Sequence, residues 1–240
     1  MQNFKPKELE LHEKAMTFAK ANKNKKSIAI KRVDCFPPEE DPVSVFMAGS
    51  PGAGKTEVSK SLIKKLEVNI LRIDNDELRS EFEGYTGENS HIFQAPSTRL
   101  VEALHDRALK RNVSFILDTT LSSYDKAVQN IERSLKRNRT VMIIFVYQDP
   151  LQAWNFVTAR EAVEGRRVPP SVFVEQFISS QQVVDKLKEK FKKDIKIELL
   201  IKNIDGTQKS YYSNVQTISQ YLKERFTRKE IEKVIGYNGE

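Results

Sequence analysis

The octapeptide from Gly49 to Thr56 limits the fold of this 240-residue chain more than any other feature. It matches the phosphate-binding pattern G-x-x-x-x-G-K-[ST] in full. An apolar stretch, 43–48, precedes it, and an amphipathic segment, 55–66, follows it. In a strand–loop–helix unit of this kind, backbone N–H groups and the helix N-terminus surround phosphate oxygens. The octapeptide therefore predicts a phosphate site. A glycine-rich turn with a purely structural role is the alternative.

Apolar and amphipathic segments alternate along the rest of the chain. This alternation predicts an α/β domain of the P-loop kinase type, with a mostly parallel sheet of about five strands flanked by helices. Asp205-Gly206 predicts a hairpin turn that leads into a short antiparallel edge strand, 210–212. The run at 141–147 is the most continuous and predicts a central strand. The predicted strands are 43–48, 68–73, 113–117, 141–147 and 195–201, and the main helices are 55–66, 97–111, 124–135, 151–161 and 171–190.

Composition restricts the environment and the partners. The formal net charge of +7 favours an anionic partner such as a nucleotide, although scattered lysines on a solvated surface explain it equally well. Cys35 is the only cysteine, so no internal disulfide can form. No stretch reaches the roughly 20 apolar residues of a membrane span. We expect a cytoplasmic protein with no membrane partner.

The octapeptide also predicts the cofactors. Lys55 would reach the β- and γ-phosphates of ATP, and the Thr56 hydroxyl would hold Mg²⁺. No N-K-x-D occurs, which argues against a GTPase, and Asp118 is followed by Thr119 where a motor ATPase would carry a second acid. A small-molecule kinase remains. The predicted nucleotide-binding residues are Gly49, Ser50, Pro51, Gly52, Ala53, Gly54, Lys55 and Thr56, with Thr56 as the metal ligand.

Two acids end the second predicted strand. In small P-loop kinases this position faces the γ-phosphate, so a carboxylate of Asp74 or Asp76 can accept the proton of an attacking hydroxyl. Either acid can instead cap the helical turn that follows. One of the two could cap while the other acts as the base.

From about residue 46 to about residue 213 the chain resembles the zeta toxin family. The resemblance depends on the order and spacing of several motifs, of which the P-loop lysine and the Asp-x-Asp element are the most specific. The motifs are Gly49–Thr56, Ile73-Asp74-Asn75-Asp76, Ser97-x-Arg99-x-x-Glu102-Ala103, Asp118-Thr119-Thr120, Arg160 and Gly165-Arg166-Arg167-x-Pro169. The family usually has Glu-Gly-Thr where this chain has Asp118-Thr119-Thr120, which puts the identity of the acceptor sugar in doubt.

The resemblance implies an ATP-dependent kinase of a nucleotide-sugar such as UDP-N-acetylglucosamine, held silent by an antitoxin protein. It assigns Asp76 as the general base, and Arg160 and Arg167 as the lid arginines that hold the transferring phosphoryl group. Arg166 competes with Arg167 for that role, and a solvated helix face is the alternative for each arginine. The catalytic set is then Asp76, Lys55, Arg160 and Arg167, and the substrate-binding set is Asp74, Arg99, Glu102, Asp118 and Thr120.

Two other functions remain open. A polynucleotide or RNA kinase would share the P-loop and the acid, but the chain lacks the alternation of basic and aromatic residues expected of its groove. Nucleic acid is therefore an unlikely partner, though not an excluded one. A nucleotide-binding regulatory module without turnover is the other reading, against which the intact Lys55, Thr56 and Asp76 argue.

The first 42 residues differ in pattern from the rest. We predict an N-terminal helix at 8–22 and a connector, followed by the kinase domain at 43–240. Pro37, Pro38 and Pro42 mark the junction. The helix either packs on the flank of the sheet or covers the nucleotide cleft, where it would inhibit the enzyme or receive an antitoxin.

Overall fold

A six-stranded sheet organises the fold. The computed structural model describes residues 4–66, 69–165, 167–222 and 226–237. The strands are ordered β2-β3-β1-β4-β5-β6, and all neighbours are parallel except β5 and β6. Their bounds are β1 Val43–Ala48, β2 Leu71–Asp74, β3 Phe115–Asp118, β4 Thr140–Tyr147, β5 Ile195–Lys202 and β6 Gln208–Tyr212. The predicted α/β class, the mostly parallel sheet and the antiparallel edge hairpin are confirmed.

Eight α-helices in the described part of the chain connect or flank these strands. They are α1 Pro6–Lys20, α2 Asn22–Val33, α3 Lys55–Leu66, α4 Gln94–Lys110, α5 Tyr124–Leu135, α6 Pro150–Glu164, α7 Pro170–Phe191 and α8 Arg228–Val234. No described helix is both long enough and apolar enough to cross a membrane.

Both faces of the sheet are buried, which explains the continuous apolar strands. Alternate side chains of β1 face opposite sides, so Phe46 and Ala48 join one buried cluster while Val45 and Met47 join another. Helix α3 covers the second face with its apolar stripe. The helices on the first face include α4 and α7. The strands β1 and β4 occupy the middle of the sheet, as predicted for the 141–147 run.

The N-terminal region packs on the first face. Ala15 and Ala19 of α1, and Ile28 and Val33 of α2, are buried in the same cluster as the sheet residues. The sequence pattern predicted one helix here and not α2, because the few apolar residues of α2 lie among lysines. Position 42 thus marks a change in sequence pattern, while both sides of it contribute to one core.

A third, smaller cluster lies outside the sheet. Ala153 and Val157 of α6 pack against Phe173 and Phe177 of α7, and Ile231 of α8 closes the group. The helix pair α6–α7 and its connection form the predicted lid, and the short α8, which the sequence analysis did not predict, supports it from outside.

Candidate active site

The carboxyl ends of the parallel strands open into one large cleft. Its volume is about 1040 Å³, and the P-loop, the segment after β2, the segment after β3 and the lid all line it. Ligands of open parallel sheets bind at this edge, because the loops there leave a crevice. The cleft lies where the sequence motifs predict it.

The glycines of the P-loop are required by close backbone contacts. At Gly49, with φ +131°, a Cβ would lie 2.3 Å from the carbonyl oxygen of Val146. At Gly52, with φ +74°, it would lie 2.0 Å from the carbonyl oxygen of Ala153 in α6. Any side chain would collide with backbone at both positions. The loop is therefore wedged between β4 and the base of the lid.

Lys55 and Thr56, at the end of the P-loop, both line the cleft and make polar contacts there. The Lys55 ammonium donates to the carbonyl oxygens of Gly49 at 3.0 Å and Ser50 at 2.7 Å, and it lines the cleft. The Thr56 hydroxyl donates to Asp118 Oδ2 at 3.2 Å. A hydroxyl and a carboxylate are hard oxygen donors of the kind that Mg²⁺ binds together with nucleotide phosphates. The donor set thus fits Mg²⁺, although no cluster of three or more His, Cys, Asp or Glu suited to a metal occurs among the described residues.

Arg72 joins the acids at the ends of two neighbouring strands. Asp74 and Asp118 are register partners on β2 and β3, and Nη2 of Arg72 donates to Oδ2 of both, at 2.7 Å for Asp118. Its Nη1 donates to Glu77. Burial lowers the pKa of Arg72, but the carboxylates of Asp74 and Asp118 outweigh that and hold it above its ordinary value. The arginine keeps two like charges together beside Thr56.

The two acids of the Asp-x-Asp element have different surroundings. Oδ1 of Asp74 accepts a hydrogen bond from the backbone N–H of Asp76 at 2.8 Å, so Asp74 shapes the turn. Oδ1 of Asp76 lies 3.1 Å from Nη1 of Arg79, and its Oδ2 lies 3.8 Å from Nη2 of Arg160 on the lid. Asp76 therefore lies between two arginines, one from the body of the domain and one from the lid.

The lid arginines differ in exposure. Arg160 is half-buried and contacts both Asp76 and Glu164. The side chain of Arg167 is 73% exposed, with Nε 3.8 Å from Glu161, and it lines the cleft at its rim. Arg166, its competitor in the sequence analysis, lies outside the described residues. The structure therefore brings Arg160 to the predicted base and leaves Arg167 in reach of the cleft.

The far half of the cleft lies between α4 and α5. Glu102 lines it and accepts a hydrogen bond from Lys126 at 3.2 Å. Thr120 lines it as well; its carbonyl accepts from the Gly49 N–H at 3.3 Å, which ties this segment to the P-loop. Arg99 is exposed and does not line the cleft, although it lies one turn of α4 before Glu102. The structure thus assembles every predicted substrate residue except Arg99.

Several cleft residues were not predicted from the sequence. Arg79 is 3% exposed and lines the cleft. The feature of the sequence that could have revealed it is its position three residues after Asp76. Lys202 belongs to the edge hairpin and approaches Gly54, a proximity that no local pattern reveals. Phe156 of α6 lines the cleft beside Gly206 of the same hairpin.

The lid meets the 84–91 loop across the cleft. A Cβ on Gly165, at the end of α6, would lie 2.3 Å from Cα of Glu88, and one on Gly87 would lie 3.4 Å from the carbonyl oxygen of Glu164. On its other side the loop contacts α1, where Glu8 Oε1 lies 3.2 Å from His91 Nε2. The loop is held between the lid and the N-terminal helix, and Ser90 and His91 face the cleft. No described residue of α1 lines the cleft itself.

Comparison with known proteins places this site in a family. Residues 26–216 match the family model described as zeta toxin. Sequence comparison with curated proteins gave no match.

Solved structures share the fold at low sequence identity. A chain of the PezAT chromosomal toxin–antitoxin system of Streptococcus pneumoniae is 16% identical, over 98% of this chain and 96% of that chain, with a TM-score of 0.62. A chain of the AvrRxo1-ORF1:AvrRxo1-ORF2 complex is 16% identical, over 92% and 73%, with a TM-score of 0.59. A chain of the Pnkp1/Rnl/Hen1 RNA repair complex is 17% identical, over 78% and 53%, with a TM-score of 0.50. These likenesses concern the fold. The family match covers most of the chain, and the protein belongs to the zeta toxin family.

Proposed function

We propose that this protein is an ATP-dependent kinase that transfers the γ-phosphoryl group to a hydroxyl of a nucleotide-sugar such as UDP-N-acetylglucosamine. The observation that carries the proposal is the shared cleft, in which the P-loop with Thr56 and Asp118 faces Asp76 and Arg160. Single-ligand pockets occupy about 300 to 1,000 Å³. The cleft of about 1040 Å³ lies at the top of that range, and it extends from the P-loop to the wall between α4 and α5.

The donor half would bind Mg-ATP. The P-loop N–H groups and Lys55 would hold the phosphates, and Thr56 and Asp118 would hold Mg²⁺, directly or through water. Mg²⁺ would neutralise charge on the phosphate oxygens. Lys202 and Phe156 lie beside the P-loop on the hairpin side and would contact the nucleoside.

The chemical step needs a base and a counter-charge. Asp76 would accept the proton of the acceptor hydroxyl as its oxygen forms a bond to the γ-phosphorus. The bond from the γ-phosphorus to the β–γ bridging oxygen breaks, and its electron pair leaves with ADP. Arg160 and Arg167 would neutralise the oxygens of the transferring group, which is the main protein contribution in phosphoryl transfer.

The acceptor half supports a polyhydroxylated substrate. Glu102, Thr120 and Ser122 present hydrogen-bonding oxygens along one wall, and Thr120 Oγ1 and Ser122 Oγ lie 3.0 Å apart. Carboxylate and hydroxyl groups suit the ring hydroxyls of a sugar. The specific nucleotide-sugar follows from the family resemblance, as does an antitoxin protein as a partner.

The test is transfer of the γ-phosphoryl group from ATP to parallel acceptors, read by mass spectrometry. The acceptors are UDP-N-acetylglucosamine, other nucleotide-sugars and a 5′-hydroxyl oligonucleotide. We expect a nucleotide-sugar heavier by one phosphoryl group, and an Asp76→Ala variant should lose transfer by at least about 100-fold while it still binds ATP. Phosphorylation of the oligonucleotide alone would favour a nucleic-acid kinase. Undiminished transfer by Asp76→Ala would refute the assignment of the base.

A further inference from the structure

We propose that Arg79 is the positioning residue for Asp76: it holds Oδ1 and thereby leaves Oδ2, on the lid side, as the oxygen that receives the acceptor proton. The inference rests on the proposed kinase function, which it deepens by naming a residue and an atom that the sequence motifs do not assign.

Arg79 is held rigidly at the edge of the cleft. It lies in the 3-10 turn Glu77–Glu81 that directly follows β2 and Asp76. Its side chain is almost fully buried, its Nη1 lies 3.1 Å from Asp76 Oδ1, and its Nη2 donates to Oε1 of Gln94 at the start of α4. The guanidinium thus bridges the base and the helix that forms the wall of the acceptor half.

The burial of this charge calls for a reason. Moving a guanidinium out of water is costly unless it is paired, and an apolar side chain would fill the same space at lower cost. The Nε atom of Arg79 is buried, with no hydrogen-bond partner in the described part of the chain. Packing and hydrogen bonding are therefore not optimised at this position. What the arginine does provide is a fixed positive charge on one oxygen of Asp76.

The two oxygens of Asp76 face different elements. Oδ1 faces Arg79, which belongs to the body of the domain, whereas Oδ2 lies 3.8 Å from Arg160 of the lid. The backbone N–H of Asp76 is tied to Asp74, so the main chain at the base is also fixed. A phosphoryl group held by a lid arginine approaches from the Oδ2 side. The acceptor proton therefore passes to Oδ2, while the acceptor oxygen bonds to the γ-phosphorus and ADP leaves.

Three variants and a control test this role, and a fourth variant, Arg79→Ala, tests it by chemical rescue. Arg79→Met removes the charge and keeps the volume, and Arg79→Lys keeps the charge but loses the two-pronged contact. Gln94→Ala removes the second anchor together with an amide that lines the cleft. Arg133→Met is the control, because Arg133 pairs with Asp106 on the surface and does not line the cleft. Transfer, ATP hydrolysis, KM for both substrates and thermal unfolding are measured for each.

We expect Arg79→Met to lower kcat by about 100-fold, with KM for ATP changed by less than about twofold, since the loss concerns the base and not the donor site. The acidic limb of its kcat/KM profile should move to higher pH, because a carboxylate that loses a neighbouring cation holds its proton more tightly. Arg79→Lys should recover part of the rate and Gln94→Ala should lie between it and the wild type. Added guanidinium ion should restore activity to an Arg79→Ala variant and leave Asp76→Ala inactive.

The outcomes separate the two proposals. A wild-type protein that hydrolyses ATP but phosphorylates no acceptor refutes the nucleotide-sugar function. The role of Arg79 is then tested by comparing the ATP hydrolysis rates and pH profiles of the same variants. If Arg79→Met and Gln94→Ala keep the wild-type rate and pH profile, the role of Arg79 is refuted. If Arg79→Met unfolds, an unchanged profile in the folded Gln94→Ala variant refutes it too. A wild type with no ATP turnover overturns both.

Discussion

His105 gives the fold a pH dependence whose sign and size follow from its burial. The side chain is 2% exposed on α4, and its ring packs edge-to-face on Phe115 at a centroid distance of 4.9 Å and on Phe46 at 6.2 Å. Burial lowers the pKa of His105 to about 3, and the charges of Arg133, Arg139 and Lys126 act in the same direction. The folded protein therefore keeps this histidine neutral over the physiological range.

The effect on stability follows by linkage. The unfolded chain binds a proton at His105 below its ordinary pKa of about 6.5, whereas the folded chain does not until about pH 3. The contribution of this residue to stability is complete above about pH 6.5 and is lost as the pH falls from there toward 3. Between pH 7 and pH 5 the loss amounts to about 2 kcal/mol, because the slope approaches its limit of about 1.4 kcal/mol per unit only below about pH 5.5.

The assay compares the wild type with His105→Leu by urea unfolding at pH 7, 6 and 5. Leucine has a similar volume and cannot titrate, so the difference in unfolding free energy between the two proteins isolates the histidine from all other acids. We expect His105→Leu to gain about 2 kcal/mol on the wild type as the pH falls from 7 to 5. The chain has three histidines, so their ring resonances can be followed by NMR and His105 assigned by its absence in the variant.

Two results would refute this reasoning. One is a stability difference between the proteins that stays constant within about 0.5 kcal/mol from pH 7 to pH 5. The other is a His105 resonance that titrates near pH 6 in the folded protein, because the ring would then be hydrated or paired with an acid.

Two further predictions concern the lid and the N-terminal region. Gly165→Ala should raise the KM of the acceptor severalfold and leave ATP affinity unchanged. The added methyl group would meet Glu88 and hold the lid away from the 84–91 loop. An equal loss of ATP affinity, measured by calorimetry, would contradict this prediction. Removal of residues 1–38 should give insoluble or unfolded protein, since Ala19 and Val33 belong to the main core; a soluble, more active kinase would instead indicate inhibition by α1.

The sequence predicted most of the framework because its signals are local. The alternation of apolar strands and amphipathic helices defines a parallel sheet, and β1, α3 and α5 begin and end where the pattern places them. The α2 helix was missed because its apolar stripe, with Ile28 and Val33, lies among lysines. The short α8 was missed because its single buried residue, Ile231, leaves no periodic pattern.

The site was predictable only where motifs lie at strand ends. Lys55, Asp76 and Arg160 lie in one cleft because each belongs to a segment that the sheet brings to the same edge. Lys202 depends instead on how the edge hairpin packs beside the P-loop, whereas Arg79 could have been found from its position three residues after Asp76. Arg99 shows the opposite case, since the motif match predicted it in the site, whereas it is exposed and does not line the cleft.

The close contact between Gly52 and Ala153 restrains the P-loop end of the lid helix α6. Because the P-loop backbone abuts α6 near its first turn, a tilt of the helix would pivot at that end. At 1.5 Å per residue, Arg160 lies about 10 Å along the helix axis from Ala153, and Gly165 lies about 18 Å from it. A rotation of about 10° then moves Arg160 by roughly 2 Å and Gly165 by roughly 3 Å. A tilt large enough to separate Gly165 from the 84–91 loop would thus shift Arg160 by a shorter distance, so in the proposed kinase the acceptor side would open more than the phosphate side.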